Sequence, residues 1–244
     1  MTAARRFFVE GARAPGECIE ITGGDAHKIA HVLRLKEGDE IVVTDSAART
    51  FSASILESGR VVRAALLAEQ IVERAGEPLR IDAAQAVPKG SRMDYAIEKG
   101  TELGVDIFLP FYSERSVGRS AGSEKLARWR RLARAAAQQC GRRKIPTVEN
   151  ALPFEALLER FAEYDAVLFA WELAPPAPLA QRIAEVVPAR GRALIVVGPE
   201  GGFTHAEAES AARHGAALLW LGPRVLRTDT AALVLLAVIG AAAS

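Results

Sequence analysis

The sequence predicts an α/β protein in which a small N-terminal β-barrel precedes a larger domain of alternating strands and helices. Alternating segments at residues 40–44, 50–56 and 61–72, joined by short turns, are typical of a small barrel. From residue 79 onward, apolar strand segments alternate with helical segments, which favours a mainly parallel sheet. Residues 73–78, a polar stretch with glycine and proline, separate the two patterns. We therefore expect two domains, 1–74 and 75–244.

The N-terminal domain carries one helical segment among its strands. Residues 26–36 have apolar side chains at helical spacing, and Asp25 precedes them as a candidate N-cap. Arg5 and Arg6 stand directly before the first short strand. The predicted N-terminal domain is therefore a barrel with one helix and a cationic start.

The second domain contains five predicted strands with helices between them. Ser91 and Asp94 form a capping-box pattern for the first of these helices. Ser123 is the candidate cap of an arginine-rich helix that ends at Cys140. The predicted strands are residues 80–87, 105–111, 166–170, 193–197 and 216–221, and a further helix is predicted at 179–187.

Two of these strands end in glycine turns. Residues 198–202, Gly-Pro-Glu-Gly-Gly, follow the strand at 193–197, and Gly222-Pro223 follows the strand at 216–221. Thr204 and Glu207 form a capping box, so a helix should begin directly after the first turn. Adjacent strand ends form the crevice in which open α/β sheets bind ligands. We expect a small-molecule site here; the alternative is that both turns are purely structural.

Familiar nucleotide, metal and nucleophile signatures are missing from the sequence. There is no P-loop pattern, no early GxGxxG and no GxSxG. The four histidines lack Cys or carboxylate partners at metal-ligand spacing, so we expect no metal site. Cys18 and Cys140 are too few for a disulfide framework, and the end of a helix does not activate a thiol. The chemistry should therefore belong to a bound cofactor.

A concentration of positive charge lies between residues 113 and 144, although the whole chain has a net charge of only +1. A local excess of this kind favours a polyanionic partner, and the alternative is a solvated, arginine-rich helix. The N-terminus has no apolar signal core, and the apolar run at 231–243 is too short to cross a bilayer. We therefore expect a cytoplasmic protein without a membrane partner.

The two turns together resemble the signature of the SPOUT methyltransferases. The sequence Gly-Pro-Glu-Gly-Gly-Phe at 198–203, followed by Leu-Gly-Pro-Arg-Val-Leu-Arg-Thr-Asp-Thr-Ala at 221–231, is similar to that of the ribosomal RNA small subunit methyltransferase E family. Supporting stretches occur in the same order along the chain, at residues 5–8, 31–35 with 38–39, 99–105, 113–116 and 138–142. Residues 118–119, Gly-Arg, depart from the aliphatic-basic pair that is common in the family.

This resemblance implies a PUA-like N-terminal barrel and a C-terminal α/β domain threaded into a trefoil knot, a rare exception to unthreaded topology. It also implies a homodimer packed through the knot. It further implies that S-adenosylmethionine (SAM) is bound mainly by backbone groups. Carried onto this sequence, the cofactor-binding residues are Leu168, Phe169, Glu172, Gly198, Pro199, Glu200, Gly201, Gly202, Leu221, Gly222, Val225, Leu226, Thr230 and Ala231.

The activity implied is methylation of N3 of one uridine in 16S rRNA, with the assembled small subunit as the expected partner. The target base should be unpaired or flipped, since N3 is paired in a duplex. Arg227 is the candidate catalytic residue, and its alternative role is a salt bridge to Asp229 or Glu200. The expected RNA contacts are Arg5, Arg6, His31, Arg34, Arg115, Arg134, Arg142 and Arg143.

Other functions remain open at this point. A SPOUT enzyme acting on tRNA or on a 2′-hydroxyl would share the barrel and the basic helix. A non-catalytic RNA-binding assembly factor would keep the fold without SAM binding. A nucleotide-binding oxidoreductase would require a dinucleotide fingerprint, which the sequence lacks.

Overall fold

The computed structural model describes residues 5–71, 79–116 and 122–243, which divide into two compact units. The first unit contains Met1–Arg74 and Ala137–Lys144, and the second contains Ala75–Ala136 and Ile145–Ser244. The predicted linker at 73–78 and the Gly-Arg pair at 118–119 lie outside the described residues. The predicted division at residue 74 stays a prediction, and residues 137–144 group with the first unit although the prediction placed them in the second domain.

The first unit is a curled five-stranded sheet with one helix, where the sequence predicted a small barrel with one helix. The sheet order is β1-β3-β4-β5-β2, with β1 parallel to β3 and the other pairs antiparallel. A π-helical turn at Lys28–Val32 continues the helix. The elements are β1 (Arg6–Phe8), β2 (Cys18–Ile21), α1 (Gly23–His27), β3 (Glu40–Thr44), β4 (Thr50–Glu57) and β5 (Val62–Glu69).

Alternating side chains on these strands fill the core of the first unit. Val43, Phe51 and Ile55 are fully buried, and Ile29 from the π-helical turn packs with them. The prediction that Asp25 caps this helix was wrong. The helix begins earlier, with Thr22 at the N-cap position, and Asp25 Oδ1 accepts a hydrogen bond from Gln138 Nε2 at 3.0 Å.

The second unit is built on a parallel sheet in the order β12-β10-β11-β6-β7-β8, with β9 also paired to β7. This confirms the predicted α/β class. Its strands are β6 (Arg80–Ala86), β7 (Val105–Tyr112), β8 (Thr147–Val148), β9 (Leu152–Pro153), β10 (Ala166–Ala170), β11 (Arg192–Val197) and β12 (Ala217–Leu219). Its helices are α2 (Arg92–Glu102), α3 (Ser123–Cys140), α4 (Phe154–Glu159), α5 (Leu179–Val186), α6 (His205–Arg213) and α7 (Thr228–Ala243).

Both faces of this sheet are covered, which explains the continuous apolar runs of its strands. In β11, Leu194 and Val196 join the cluster formed with α4 and α6, whereas Ile195 and Val197 join the cluster formed with α2 and α7. The α7 helix contributes side chains such as Leu235 to the second of these clusters. Among the described residues, no helix combines the length and apolar character needed to cross a bilayer.

The helices α2 and α3 both pack on this core, and α3 contributes the buried side chains of Trp129 and Ala133. The predicted capping box of α2 was wrong, because Ser91 occupies the N-cap position but makes no side-chain cap hydrogen bond. Asp94 instead pairs with Arg128 Nη2 at 2.6 Å. The trefoil knot stays a prediction, since the sheet order does not test how the chain is threaded.

Candidate functional site

A cavity of about 410 Å³ lies at the carboxyl ends of β12, β10 and β11, three neighbouring strands of the parallel sheet. Its walls come from the segments that follow these strands: residues 170–172, 197–203, 221–222 and 224–228. Arg92 and Ala231 complete the lining. The edge formed by the carboxyl ends of parallel strands is the general ligand site of open α/β sheets, and the volume suits a small molecule.

The first glycine turn approaches its neighbours so closely that side chains are excluded. Gly202 has φ +65°, and a Cβ placed there would lie 2.5 Å from Glu172 Oε1. A Cβ on Gly198 would lie 2.9 Å from the ring of Phe203. At Gly198 and Gly202 the wall of the cavity is therefore backbone, which can come close to a ligand.

The capping box predicted after this turn is present. Glu207 N–H donates to Thr204 Oγ1 at 3.2 Å, and Thr204 N–H donates to Glu207 Oε2 at 2.8 Å. Glu207 is buried and also accepts the N–H of Glu114 at 2.9 Å through its other carboxylate oxygen. The start of α6 is thereby fixed beside the turn.

Two arginines hold the middle of the turn. Arg92 Nη1 lies 2.5 Å from Glu200 Oε1, and the N–H of Lys89 donates to the same oxygen at 3.0 Å. Arg115 Nη1 donates to the carbonyl of Gly201 at 2.8 Å. The guanidinium of Arg115, predicted as an RNA contact, is thus engaged with the glycine turn.

The second turn leads into α7 through a buried hydroxyl. Thr228 is 5% exposed and donates to the carbonyl of Gly198 at 2.5 Å. Its oxygen accepts a hydrogen bond from Gln85 Nε2 at 2.7 Å. The first glycine turn is therefore tied to the start of α7 at the cavity wall.

Most residues predicted to bind the cofactor are brought together, since eleven of the fourteen line the cavity. Leu168 and Phe169 do not, because both are fully buried within β10 and pack into the clusters on either face of the sheet. Thr230 is exposed and also lies outside the lining. The whole assignment stays a prediction until a ligand is bound.

Several lining residues were absent from the predicted cofactor set. Trp171 follows β10 directly, so the same argument from strand ends would have found it. Arg92 carries no such signal, because it begins α2 and lies 108 positions from Glu200, its partner in the turn.

Arg227 lines the cavity with an exposed side chain. Its alternative role as a salt-bridge partner is not supported. Glu200 pairs with Arg92, and Asp229 Oδ1 accepts the N–H of Thr230 at 3.0 Å. Within the described part of the chain, Arg227 takes part in no ion pair. Its charge is therefore available to a ligand.

The predicted RNA-contact residues fall in both units and differ in their surroundings. Arg5, His31 and Arg34 are exposed in the first unit. The half-buried Arg6 donates to Thr44 Oγ1 at 2.8 Å, and burial together with the charge of Arg143 lowers its pKa. The remaining predicted contacts, Arg134, Arg142 and Arg143, are half-buried.

Arg6 and Arg143 share one acceptor. Both guanidinium groups donate to Thr50 Oγ1, at 3.1 Å and 3.2 Å. They therefore form a cationic pair on the first unit. Across residues 5–71, 79–116 and 122–243, no three His, Cys, Asp or Glu side chains are grouped as metal ligands would be.

Comparison with known proteins assigns a class to this arrangement. Residues 75–240 match the family model described as an RNA methyltransferase domain. Residues 21–60 match the RNA methyltransferase PUA domain, which confirms the predicted PUA-like N-terminal domain. Fold and site thus define an RNA methyltransferase. The chain is 32% identical to the ribosomal RNA small subunit methyltransferase E of Bacillus subtilis, over 96% of this chain and 95% of that protein. It belongs to the ribosomal RNA small subunit methyltransferase E family.

Other relatives agree with this placement. The family member from Mycobacterium bovis is 34% identical over 97% of this chain and 91% of its own. A solved structure of the Neisseria gonorrhoeae enzyme, bound to S-adenosyl methionine, superposes with a TM-score of 0.86 at 27% identity and covers 98% of both chains. A methyltransferase from Legionella pneumophila in complex with SAM gives a TM-score of 0.81 at 30% identity, again over 98% of both chains.

Proposed function

We propose that this protein transfers a methyl group from SAM to N3 of a specific uridine in 16S rRNA. The observation that carries the proposal is the cavity at the strand ends, enclosed by both glycine turns and holding the free guanidinium of Arg227. Membership of the ribosomal RNA small subunit methyltransferase E family supports the substrate class.

The residues of the cavity fit SAM as the cofactor. At Gly198 and Gly202 the cavity is lined by backbone, since a Cβ at either position would collide with Phe203 or Glu172. Trp171 and Leu226 supply apolar lining, and Glu172 and Glu200 supply carboxylates that suit a cationic ligand. When bound there, SAM supplies an electrophilic methyl group.

The chain's own contribution is to position the reactants and to stabilise charge. Uracil N3 carries a proton that must leave, so negative charge develops on the base during transfer. Arg227 lines the cavity without an internal partner, and we assign it the role of stabilising this charge. Fixing both reactants in one cavity lowers the entropic part of the barrier.

RNA binding is assigned to cations of the first unit. Arg5, His31 and Arg34 are exposed in the first unit, and the Arg6–Arg143 pair adds charge there. Such contacts supply affinity and position the backbone, whereas the base is selected at the cavity. Because its guanidinium is engaged with Gly201, Arg115 is assigned to holding the turn.

Dimerisation through α7 is part of the proposal. Leu233, Val234 and Val238 of this helix are only half-buried within the chain, which leaves apolar surface for a second copy. We place the active protein in the cytoplasm, where ribosomal RNA is assembled into subunits.

The deciding experiment is methyl transfer from labelled SAM to small ribosomal subunits that lack base methylation, followed by nucleoside mass spectrometry. The expected product is 3-methyluridine. Naked 16S rRNA and tRNA, assayed in parallel, show whether the assembled subunit is needed. A 2′-O-methylated nucleoside, or label in tRNA, would contradict the proposed substrate and favour a 2′-hydroxyl or tRNA target instead. Failure to bind SAM would favour a non-catalytic assembly factor.

A further inference from the structure

Three residues from separate elements form a hydrogen-bond relay at the wall of the cavity. Gln85 Nε2 donates to Thr228 Oγ1 at 2.7 Å, and the Thr228 hydroxyl donates to the Gly198 carbonyl at 2.5 Å. Gln85 lies at the carboxyl end of β6, Gly198 follows β11, and Thr228 begins α7. Gln85 is 3% exposed and Thr228 is 5% exposed, so water does not compete for these bonds.

The relay has a fixed polarity. A hydroxyl carries one proton, so a Thr228 oxygen that accepts from Gln85 directs its own proton to Gly198. The amide nitrogen of Gln85 also donates to the Ala86 carbonyl at 3.2 Å. Among the described residues, Gln85 Oε1 is buried without a hydrogen-bond partner.

Because Gln85 Oε1 has no partner among the residues that the structure describes, the useful part of the Gln85 amide is its N–H groups. A buried acceptor without a partner destabilises the fold, and an apolar side chain of the same shape would remove that cost. The benefit must therefore come from the N–H groups, which set the direction of the Thr228 hydroxyl.

The relay reaches the whole glycine turn. The peptide that joins Gly198 to Pro199 is planar, and the proline ring restricts the next φ angle. The carbonyl of Pro199 accepts the N–H of Gly202 at 2.9 Å. Orienting the Gly198 carbonyl thereby orients the backbone wall of the cavity as far as Gly202.

We propose that Gln85 is a positioning residue that acts through Thr228 to hold the glycine turn in its SAM-binding orientation. The inference rests on the proposed function in taking SAM as the ligand. It predicts that Gln85 and Thr228 act as one unit and that their effect falls on cofactor binding rather than on the methyl-transfer step.

The test is a double-mutant cycle on the full chain, with SAM affinity measured by calorimetry. Gln85→Met and Thr228→Val should each weaken SAM binding about tenfold, which is the loss of one hydrogen bond. The double variant should bind no more weakly than Thr228→Val alone. Thr228→Ser, which keeps the hydroxyl, should bind SAM within about twofold of the natural protein. At saturating SAM, kcat should be retained while KM for SAM rises.

Hydrogen exchange of the ligand-free protein provides a readout independent of SAM. The amides of Gly201, Gly202 and Phe203 should exchange faster in Gln85→Met and Thr228→Val and at the natural rate in Thr228→Ser. The relay would be overturned if amide exchange were unchanged in Gln85→Met and Thr228→Val, or if their losses in SAM affinity were additive in the double variant. It would also be overturned if either variant lowered kcat and left SAM affinity unchanged. Failure of the natural protein to bind SAM would overturn the proposed function, and the exchange rates would still decide the relay. If Gln85→Met does not fold, the comparison of Thr228→Val with Thr228→Ser still decides it.

Discussion

Arg92 Nη1 lies 2.5 Å from Glu200 Oε1, although the two residues are 108 positions apart in the chain. The bond ties the start of α2 to the middle of the glycine turn, and both residues line the cavity. It is partly exposed, so its contribution to global stability is small. Its main effect should be on the order of the turn.

Arg92→Met should therefore weaken SAM binding by about three- to tenfold and lower the unfolding free energy by less than about 1 kcal/mol. Titration calorimetry and chemical denaturation measure the two effects. Arg182→Met, which removes an exposed pair with Glu185 on α5, is the matched control and should change neither. Equal SAM affinity in both variants would show that the Arg92 bond does not order the turn.

Gly202→Ala should abolish SAM binding. The residue has φ +65°, and its Cβ would stand 2.5 Å from Glu172 Oε1, so either the turn must shift or the Glu172 carboxylate, which also lines the cavity, must move. Gly215→Ala is the control, because Gly215 has φ +89° but open space around its Cβ. Both variants should be destabilised by about 1 kcal/mol through backbone strain. Only Gly202→Ala should lose SAM binding in equilibrium dialysis, and equal affinities would contradict the collision argument.

Arg227→Ala should lower kcat by about 10²- to 10³-fold while SAM affinity stays within about twofold, if its charge acts mainly in the transition state. Arg224→Ala removes a neighbouring charge that also lines the cavity and serves as the control. It should alter RNA affinity more than kcat. Single-turnover methyl transfer with saturating SAM separates an effect on kcat from an effect on RNA affinity. A similar kcat for both variants would show that Arg227 takes no part in methyl transfer.

Asp45→Asn should destabilise the first unit in a pH-dependent way. Burial alone would raise the pKa of Asp45, but hydrogen bonds from the backbone N–H groups of Arg13 and Arg49, the Arg49 side chain and the N–H of Ala47 outweigh it, so the pKa lies below the ordinary 3.8. A lowered pKa contributes stability above the unfolded value, and this contribution is lost as pH falls through the folded value.

At pH 7 the natural protein should exceed Asp45→Asn by about 1–3 kcal/mol in unfolding free energy. The difference should shrink below about pH 4, when the carboxylate becomes protonated. Urea denaturation at both pH values measures it. Glu37→Gln, at an exposed position of the first unit, is the control and should leave the urea midpoint unchanged at both pH values. A stability difference for Asp45→Asn that stays constant with pH would exclude this explanation.

Local patterns in the sequence predicted the outline of the site. The strand at 166–170 is a short apolar run, and the turn at 198–202 is a glycine-rich run. Both can be predicted from residues that are adjacent in the sequence. The Thr204–Glu207 capping box is equally local, and the structure contains it. These patterns predicted the two glycine turns of the cavity wall, whereas Glu172, Val225, Leu226 and Ala231 were predicted only from the family resemblance.

Long-range partners account for what the sequence could not predict. Asp25 and Asp94 had the residue type and position for helix capping, yet Gln138 and Arg128 engage their carboxylates. The contact between Gln85 and Thr228 spans 143 positions, and no periodicity reveals it. A polar side chain can form a hydrogen bond with any of several partners, and the partners that are distant in sequence come near it only in the folded chain.

The ring of Phe203 lies 2.9 Å from the point where a Cβ of Gly198 would stand, and it packs on Phe169 with ring centroids 4.1 Å apart. Positions 198 and 203 should therefore change together as lineages diverge. A chain that acquires alanine at 198 must already carry a smaller side chain at 203, or acquire one soon afterwards. The order of such substitutions is constrained, because either change alone leaves a collision or a void beneath the turn.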